Sequence, residues 1–177
     1  MEESKKYRKF LSQLIADKFF VYGNHAKNAL TFHGIPEKPL VISGSPRYDI
    51  LFNEIKNTEE KYIILMGSAL PSTAFSHFLS NNVILEWEKM LTSVFVALKE
   101  LNEEIIIKRH PTRNGEIIDF KVLANKFLPG AKIYKNKNTY KLLSKSKLVV
   151  SMMSSTITEA IILNKPVVMP RHFNHDL

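Results

Sequence analysis

The stretch Lys147 to Pro170, KLVVSMMSSTITEAIILNKPVVMP, constrains the fold most, because it reads as strand, hydroxyl-rich turn, short helix and second strand in immediate succession. Parallel neighbours in a sheet need a crossover of this kind. Leu148 to Ser151 is a short apolar, β-branched run, and Ser154, Ser155 and Thr156 stand where a helix must begin. Thr156 and Glu159 have the spacing of a capping box, in which hydroxyl and carboxylate satisfy each other's backbone N–H groups. A helix start also offers unpaired N–H groups and the positive end of the helix dipole, so the adjacent hydroxyls could complete a cradle for phosphate. Ordinary capping explains the same residues without a ligand.

The same alternation runs through the rest of the chain. A basic helix over 5–16 precedes a strand at 18–22, a helix at 24–33 ended by Gly34, a strand at 39–43 and a short helix over 47–56. Tyr62 to Met66 is a buried strand that ends in a turn at Gly67 and Ser68. Residues 70–82 read as a loop with one helical turn. A long helix follows over 83–101, with Leu85, Met90, Leu91, Val94, Phe95 and Leu98 near one face as core. Then come strand 104–109, helix 116–127, strand 132–134, helix 138–145, strand 147–151, helix 155–163 and strand 166–169. This βαβ order predicts an α/β, doubly wound parallel sheet with Tyr62–Met66, Ile105–Lys108, Lys132–Tyr134, Leu148–Ser151 and Val167–Met169 as members of one sheet.

A second segment bears on chemistry. EIIIKRH, from Glu104 to His110, is a buried-type strand that ends in Lys108, Arg109 and His110, with Pro111 to stop it. Proline biases the preceding residue toward extended geometry, so the imidazole should project from the strand tip. Alternation along the strand sends Lys108 and His110 to one face and Arg109 to the other. Ligands of open parallel sheets bind outside the carboxyl ends of strands, and His110 should therefore meet Ser154 to Thr156 along one edge.

Composition removes several classes. The chain has 177 residues, 45% of them hydrophobic, enough for a sizeable core. No apolar run approaches the roughly 18 residues of a membrane span, and no apolar segment of a signal peptide follows Met1. A cytoplasmic chain is the expectation. The absence of cysteine excludes disulfides, thiol catalysis and cysteine-ligated zinc. Six histidines at 25, 33, 77, 110, 172 and 175 show no metal-ligand spacing, so no metal site is expected. The formal charge of +8 gathers in Lys5, Lys6, Arg8 and Lys9 and in eight lysines between Lys121 and Lys147. Such an excess suits an anionic donor, an acidic polymer or an anionic membrane surface. No aromatic–basic RNA-reading signature or helix-turn-helix pattern accompanies it, and nucleic acid is not expected as a partner.

At these residues the chain resembles the carboxyl-terminal, nucleotide-binding domain of two-domain GT-B-type transferases of surface and capsular polysaccharide biosynthesis. Their K-x-H-P strand end corresponds to Lys108-Arg109-His110-Pro111. Their later S-S-T-x-x-E-A turn and Lys-Pro strand correspond to Ser154-Ser155-Thr156-Ile157-Thr158-Glu159-Ala160 and Lys165-Pro166-Val167-Val168. Val41-Ile42-Ser43-Gly44-Ser45-Pro46-Arg47-Tyr48-Asp49 is similar to the segment that leads such chains from the first domain into the second. Relatives include sialyltransferases, CDP-glycerol glycerophosphotransferases and, at greater distance, UDP-N-acetylglucosamine 2-epimerases, whose Ser-Gly-Gly turn is bulkier here.

The resemblance implies that residues 1–57 are a remnant of a first Rossmann-like domain with its linker, and that 58–177 form a nucleotide-binding domain truncated at its carboxyl end. It implies a nucleotide-activated sugar or CDP-polyol as donor substrate, with no other cofactor and no metal. Gly67, Ser68, Lys108, Arg109, His110, Ser154, Ser155 and Thr156 would hold its phosphates, and Glu159 would accept from its ribose hydroxyls. The glycan acceptor and the catalytic base would come from a missing domain; Asp17, His25 and Asp49 read better as cap, surface or linker residues, and the chain alone is expected to be inactive. Peripheral association with the inner face of a membrane is a further expectation. An epimerase-like protein, or a non-catalytic nucleotide- or nucleic-acid-binding fragment, is the alternative.

Overall fold

The computed structural model describes residues 16–56, 58–67, 81–110, 120–152 and 154–170. Positions 5–15 of the expected first helix, Ser68, positions 70–80 of the expected loop, Pro111 and the first part of the helix over 116–127 lie outside these residues, whereas Asn81 and Asn82, expected in that loop, already belong to the long helix. The chain divides into two compact units, Met1–Ile50 and Leu51–Leu177.

In the first unit, β1 (Phe19–Val21), α1 (Asn24–Phe32) and β2 (Leu40–Ile42) form a βαβ motif whose two strands pair in parallel. Val21, Ile35 and Leu40 are its small core, with Phe19, Ala26 and Leu30 packed against them. Gly44 follows with φ at 72°, a left-handed conformation that favours glycine. A 3-10 turn at Pro46–Tyr48 leads into α2 (Asp49–Asn53), where the sequence pattern predicts one helix over 47–56.

The second unit contains β3 (Tyr62–Met66), α3 (Asn81–Glu100), β4 (Ile105–Lys108), α4 (Phe120–Phe127), β5 (Lys132–Tyr134), α5 (Thr139–Ser144), β6 (Ser146–Ser151), α6 (Thr156–Ile162) and β7 (Val167–Val168). The five strands form one sheet in the order β5-β4-β3-β6-β7, and every pairing is parallel. All five segments expected in one sheet are there. The fold is an α/β, Rossmann-like parallel sheet with flanking helices.

Strand periodicity divides the core between the two faces of the sheet. Ile63, Leu65, Ile105, Ile107 and Val150 pack with Leu91, Phe95 and Leu98 of α3 and Phe120, Leu123 and Ala124 of α4. The ring of Phe95 meets Phe120 edge-on at 6.4 Å. Leu85 is 54% exposed, unlike the rest of its expected face. Six residues before Leu91 at 100° each place it about 120° around the helix from the buried stripe. The opposite sheet face carries Tyr62, Ile64, Ile106, Lys108 and Val149, and α5 and α6 both pack on β6.

The register of β3 against β6 shifts between Tyr62 and Ile63, whose partners are Ser146 and Leu148. This bulge at Lys147 explains why β6 begins two residues before the apolar run: Ser146 is fully buried and donates to the Leu143 carbonyl at 2.8 Å.

Tyr62 starts β3 with its hydroxyl donating to the Leu142 carbonyl at 3.0 Å, which fastens α5 to the sheet. Burial, then the charges of Glu104 and Tyr134, push its pKa above the ordinary 10.0. The folded protein therefore keeps this proton longer than the unfolded chain does. Its stabilising contribution is complete below the unfolded value and is lost as pH rises through the folded one. Tyr62→Phe is expected to cost about 1 kcal/mol at neutral pH and to flatten the alkaline limb of stability, measured by denaturant melts from pH 7 to 11.

Candidate functional site

Tyr134, Lys108, Met66 and Ser151 lie in register across β5, β4, β3 and β6. Because all four strands run the same way, the residues after that line emerge together at the carboxyl edge. From β4 come Arg109 and His110, from β3 Gly67, and from β6 Met152 and then Ser154 to Thr156. The β4 and β6 tips are separated by β3 alone, so roughly 10 Å lies between them at the usual strand spacing. The sheet thus brings the two sequence signals to one edge, on either side of Gly67.

Gly67 is the floor of this arrangement. Its N–H donates to the Lys108 carbonyl at 2.8 Å. A Cβ at position 67 would meet Lys108 O at 3.2 Å, Arg109 Cα at 3.4 Å and His110 N at 3.5 Å, all main-chain atoms. A residue without a side chain is what lets the end of β3 lie against the main chain of the β4 tip.

Lys108 is buried, and its ammonium donates to the carbonyls of Lys135, at 2.8 Å, and Arg109, at 3.0 Å. The Arg109 N–H also donates to Tyr134 O at 2.8 Å. The lysine thereby fixes the β4 tip to the chain after β5 and leaves a positive charge beneath it. Arg109 and His110 are half-buried at the edge itself.

The hydroxyl turn differs from the expected capping box. The helix α6 starts at Thr156, so Thr156 is already helical and cannot stand before it as cap. The N-cap position is Ser155, whose side chain makes no capping bond; one residue earlier, Ser154 Oγ accepts from the Thr156 backbone N–H at 3.3 Å and from Thr156 Oγ1 at 2.9 Å. With both lone pairs of Ser154 Oγ engaged, its own proton is directed elsewhere as a donor. Ser151 Oγ lies 3.3 Å from Thr156 Oγ1 and donates to Met152 O at 3.0 Å. The Ile157 N–H is bonded to Ser154 O at 3.1 Å, so the turn offers hydroxyls more than free amides. Ser155 is exposed, whereas Glu159 is buried in the first turn of α6.

The sheet thus brings Arg109, His110 and the Ser154–Thr156 turn to one edge, with Gly67 on the strand between them, and these are residue types that suit an oxyanion. Among the described residues no group of three or more His, Asp or Glu side chains is placed to hold a metal ion. Lys165, the Lys of the Lys-Pro pair, lies at the other edge of the sheet. Its buried ammonium is 3.1 Å from Glu60 Oε1. That ion pair has no local sequence signal, because its partners are 105 positions apart.

Solved structures share this fold. The putative UDP-N-acetylglucosamine 2-epimerase from Listeria monocytogenes superposes with a TM-score of 0.60 at 19% identity, over 90% of this chain and 43% of that one. A variant of the wall teichoic acid polymerase TagF gives 0.51 at 14% identity, over 94% and 42%. The chain therefore spans about two fifths of the length of these GT-B-like neighbours. No functionally curated protein matches the sequence significantly. Among the described residues no helix is long and apolar enough to cross a membrane. Residues 3–175 match the model of the LIC12162 family transferase, and the chain belongs to that family.

Proposed function

We propose that the carboxyl edge of the sheet binds the nucleotide of an activated sugar or polyol-phosphate donor, and that the chain is the donor-binding part of a glycosyltransferase-like enzyme of surface polysaccharide synthesis. The observation that carries this reading is the convergence of Arg109 and His110 with Ser154, Ser155 and Thr156 on either side of Gly67, in a member of a transferase family. Charge develops on the departing nucleotide phosphate during transfer. Preorganised cations and hydroxyls at that point lower the barrier without reorganising. Arg109 can meet phosphate oxygens in bidentate fashion, and His110 adds a charge-assisted hydrogen bond. Lys108 acts from below, by holding both residues at the tip. Ser154 donates its remaining proton, and Glu159 is the carboxylate for the ribose hydroxyls. Binding takes place at the cytoplasmic side.

Thermal-shift and ligand-observed NMR titration with CMP, CDP, UDP, GDP and their sugar conjugates tests the reading. One nucleotide should stabilise the protein selectively. Arg109→Ala and His110→Ala should each weaken that binding by about 1–3 kcal/mol, with the far-ultraviolet circular dichroism unchanged. A protein indifferent to every nucleotide, or variants that bind as wild type, would refute the assignment.

A further inference from the structure

A second cationic feature lies away from the hydroxyl turn. On the sheet face that α5 covers only in part, a groove of about 360 Å³ runs between α5 and β4–β5. Lys61, Lys132, Lys137, Lys141 and Lys145 line it together with Tyr134, and Glu104 is its one carboxylate. Glu104 is already engaged by Lys132 at 2.7 Å. The stretch from Lys121 to Lys147, which supplies four of these lysines, contains no Asp or Glu.

Lys137, Lys141 and Lys145 are four residues apart, before, within and after α5. Lys141 and Lys145 are one helical turn apart, about 5–6 Å, and Lys137 stands ahead of the N-cap Asn138 with its ammonium over the Tyr134 ring, so three cations line the same groove. Lysine presents point charges, not the rigid fork with which arginine grips a single phosphate or carboxylate. The row therefore suits a chain that carries one anionic group per repeat.

The aromatic residues argue against nucleic acid. Tyr62 is buried with its hydroxyl on Leu142, and the Lys137 ammonium covers the ring of Tyr134 at 3.9 Å from its centroid. Neither offers the open platform on which bases stack. A concave groove is also a poor match to the plane of a membrane. At its upper end Lys137 follows Lys135, whose carbonyl holds Lys108 beneath Arg109 and His110. A chain lying in the groove would thus arrive beside the candidate donor site.

We infer that this groove holds an extended anionic glycan, one negative charge per repeat, as the acceptor or product strand. The inference rests on the transferase reading and names a partner for it. Fluorescence anisotropy with a labelled α2,8-linked sialic acid octamer provides the test, with a neutral dextran octamer and an RNA octamer as controls. The sialic acid octamer should bind in a salt-dependent way. Lys137→Gln/Lys141→Gln/Lys145→Gln should weaken it at least tenfold and reduce the slope of log K against log salt by about 2. These side chains are exposed, so the fold should survive.

Unchanged octamer binding by the triple variant, equal binding of dextran, or tighter RNA binding through the same lysines would overturn the assignment. Nucleotide titration of the same samples separates the two readings. Donor binding that persists in the triple variant and is lost in Arg109→Ala places two ligands on two sites. Lysine-dependent octamer binding without any nucleotide response would remove the donor site and keep the groove.

Discussion

Glu60→Ala is expected to cost about 3 kcal/mol in a urea melt, whereas Lys165→Met should fall within about 1 kcal/mol of wild type or be more stable. The asymmetry follows from burial. The Lys165 side chain is 1% exposed and that of Glu60 is 52% exposed, with 3.1 Å between Nζ and Oε1. Removing the glutamate leaves an ammonium in the interior without its counter-charge, while removing the lysine returns a carboxylate to water. Methionine fills the lysine's volume without a charge to desolvate. Combining the two substitutions should recover most of the loss from Glu60→Ala, because the penalty belongs to the unpaired cation. Equal costs for the two single variants would show that the pair is not what holds the segment before β3 against the end of α6. The Lys-Pro lysine thus has a role of its own within the resemblance, since it braces the edge of the sheet opposite the candidate site.

Gly67→Val is expected to destabilise the protein by about 1–3 kcal/mol and to reduce nucleotide affinity at least tenfold, with Gly67→Ala intermediate. The φ angle of Gly67 is not in the left-handed region, so space decides the matter. The first atom in the way is the Lys108 carbonyl oxygen at 3.2 Å, and the next two belong to the main chain of Arg109 and His110. None can rotate aside as a long side chain would. Relief has to come from displacing the β4 tip, which shifts the guanidinium and imidazole and strains the Lys108 bonds to Lys135 and Arg109. Thermal unfolding and nucleotide titration of the same preparations measure both effects. A Gly67→Val protein with wild-type affinity would show that this close contact of β3 with the β4 tip is not needed for binding.

The capping turn and the β4 tip show different limits of reading a chain by its pattern. Apolar β-branched runs separated by helical spacing determined the five strands of the large sheet, since a parallel sheet buried on both faces requires such runs and such crossovers. Parallel direction by itself then puts His110 and Ser154 on one edge. Boundaries were less legible where a local irregularity intervened, as at the Lys147 bulge that admits Ser146 to β6. The capping box of Thr156 and Glu159 had the right spacing, but Thr156 is itself the first helical residue and its N–H is taken by Ser154 Oγ.

Sequence alone determined which residue types the carboxyl edge would carry. Only the tertiary structure decided what each could do there. Lys108 and Arg109 are adjacent cations in the chain, yet the lysine is buried on the Lys135 and Arg109 carbonyls while Arg109 is only half-buried at the strand tip. The lysines around α5 line a groove only because β4 and β5 lie beneath them as its floor. Lys165 likewise found Glu60 across 105 positions. The physical reason is common to all three cases. Local propensity fixes what is decided by neighbours a few residues away, whereas the burial and pairing of a charge depend on which distant main-chain and side-chain groups packing brings within hydrogen-bonding reach.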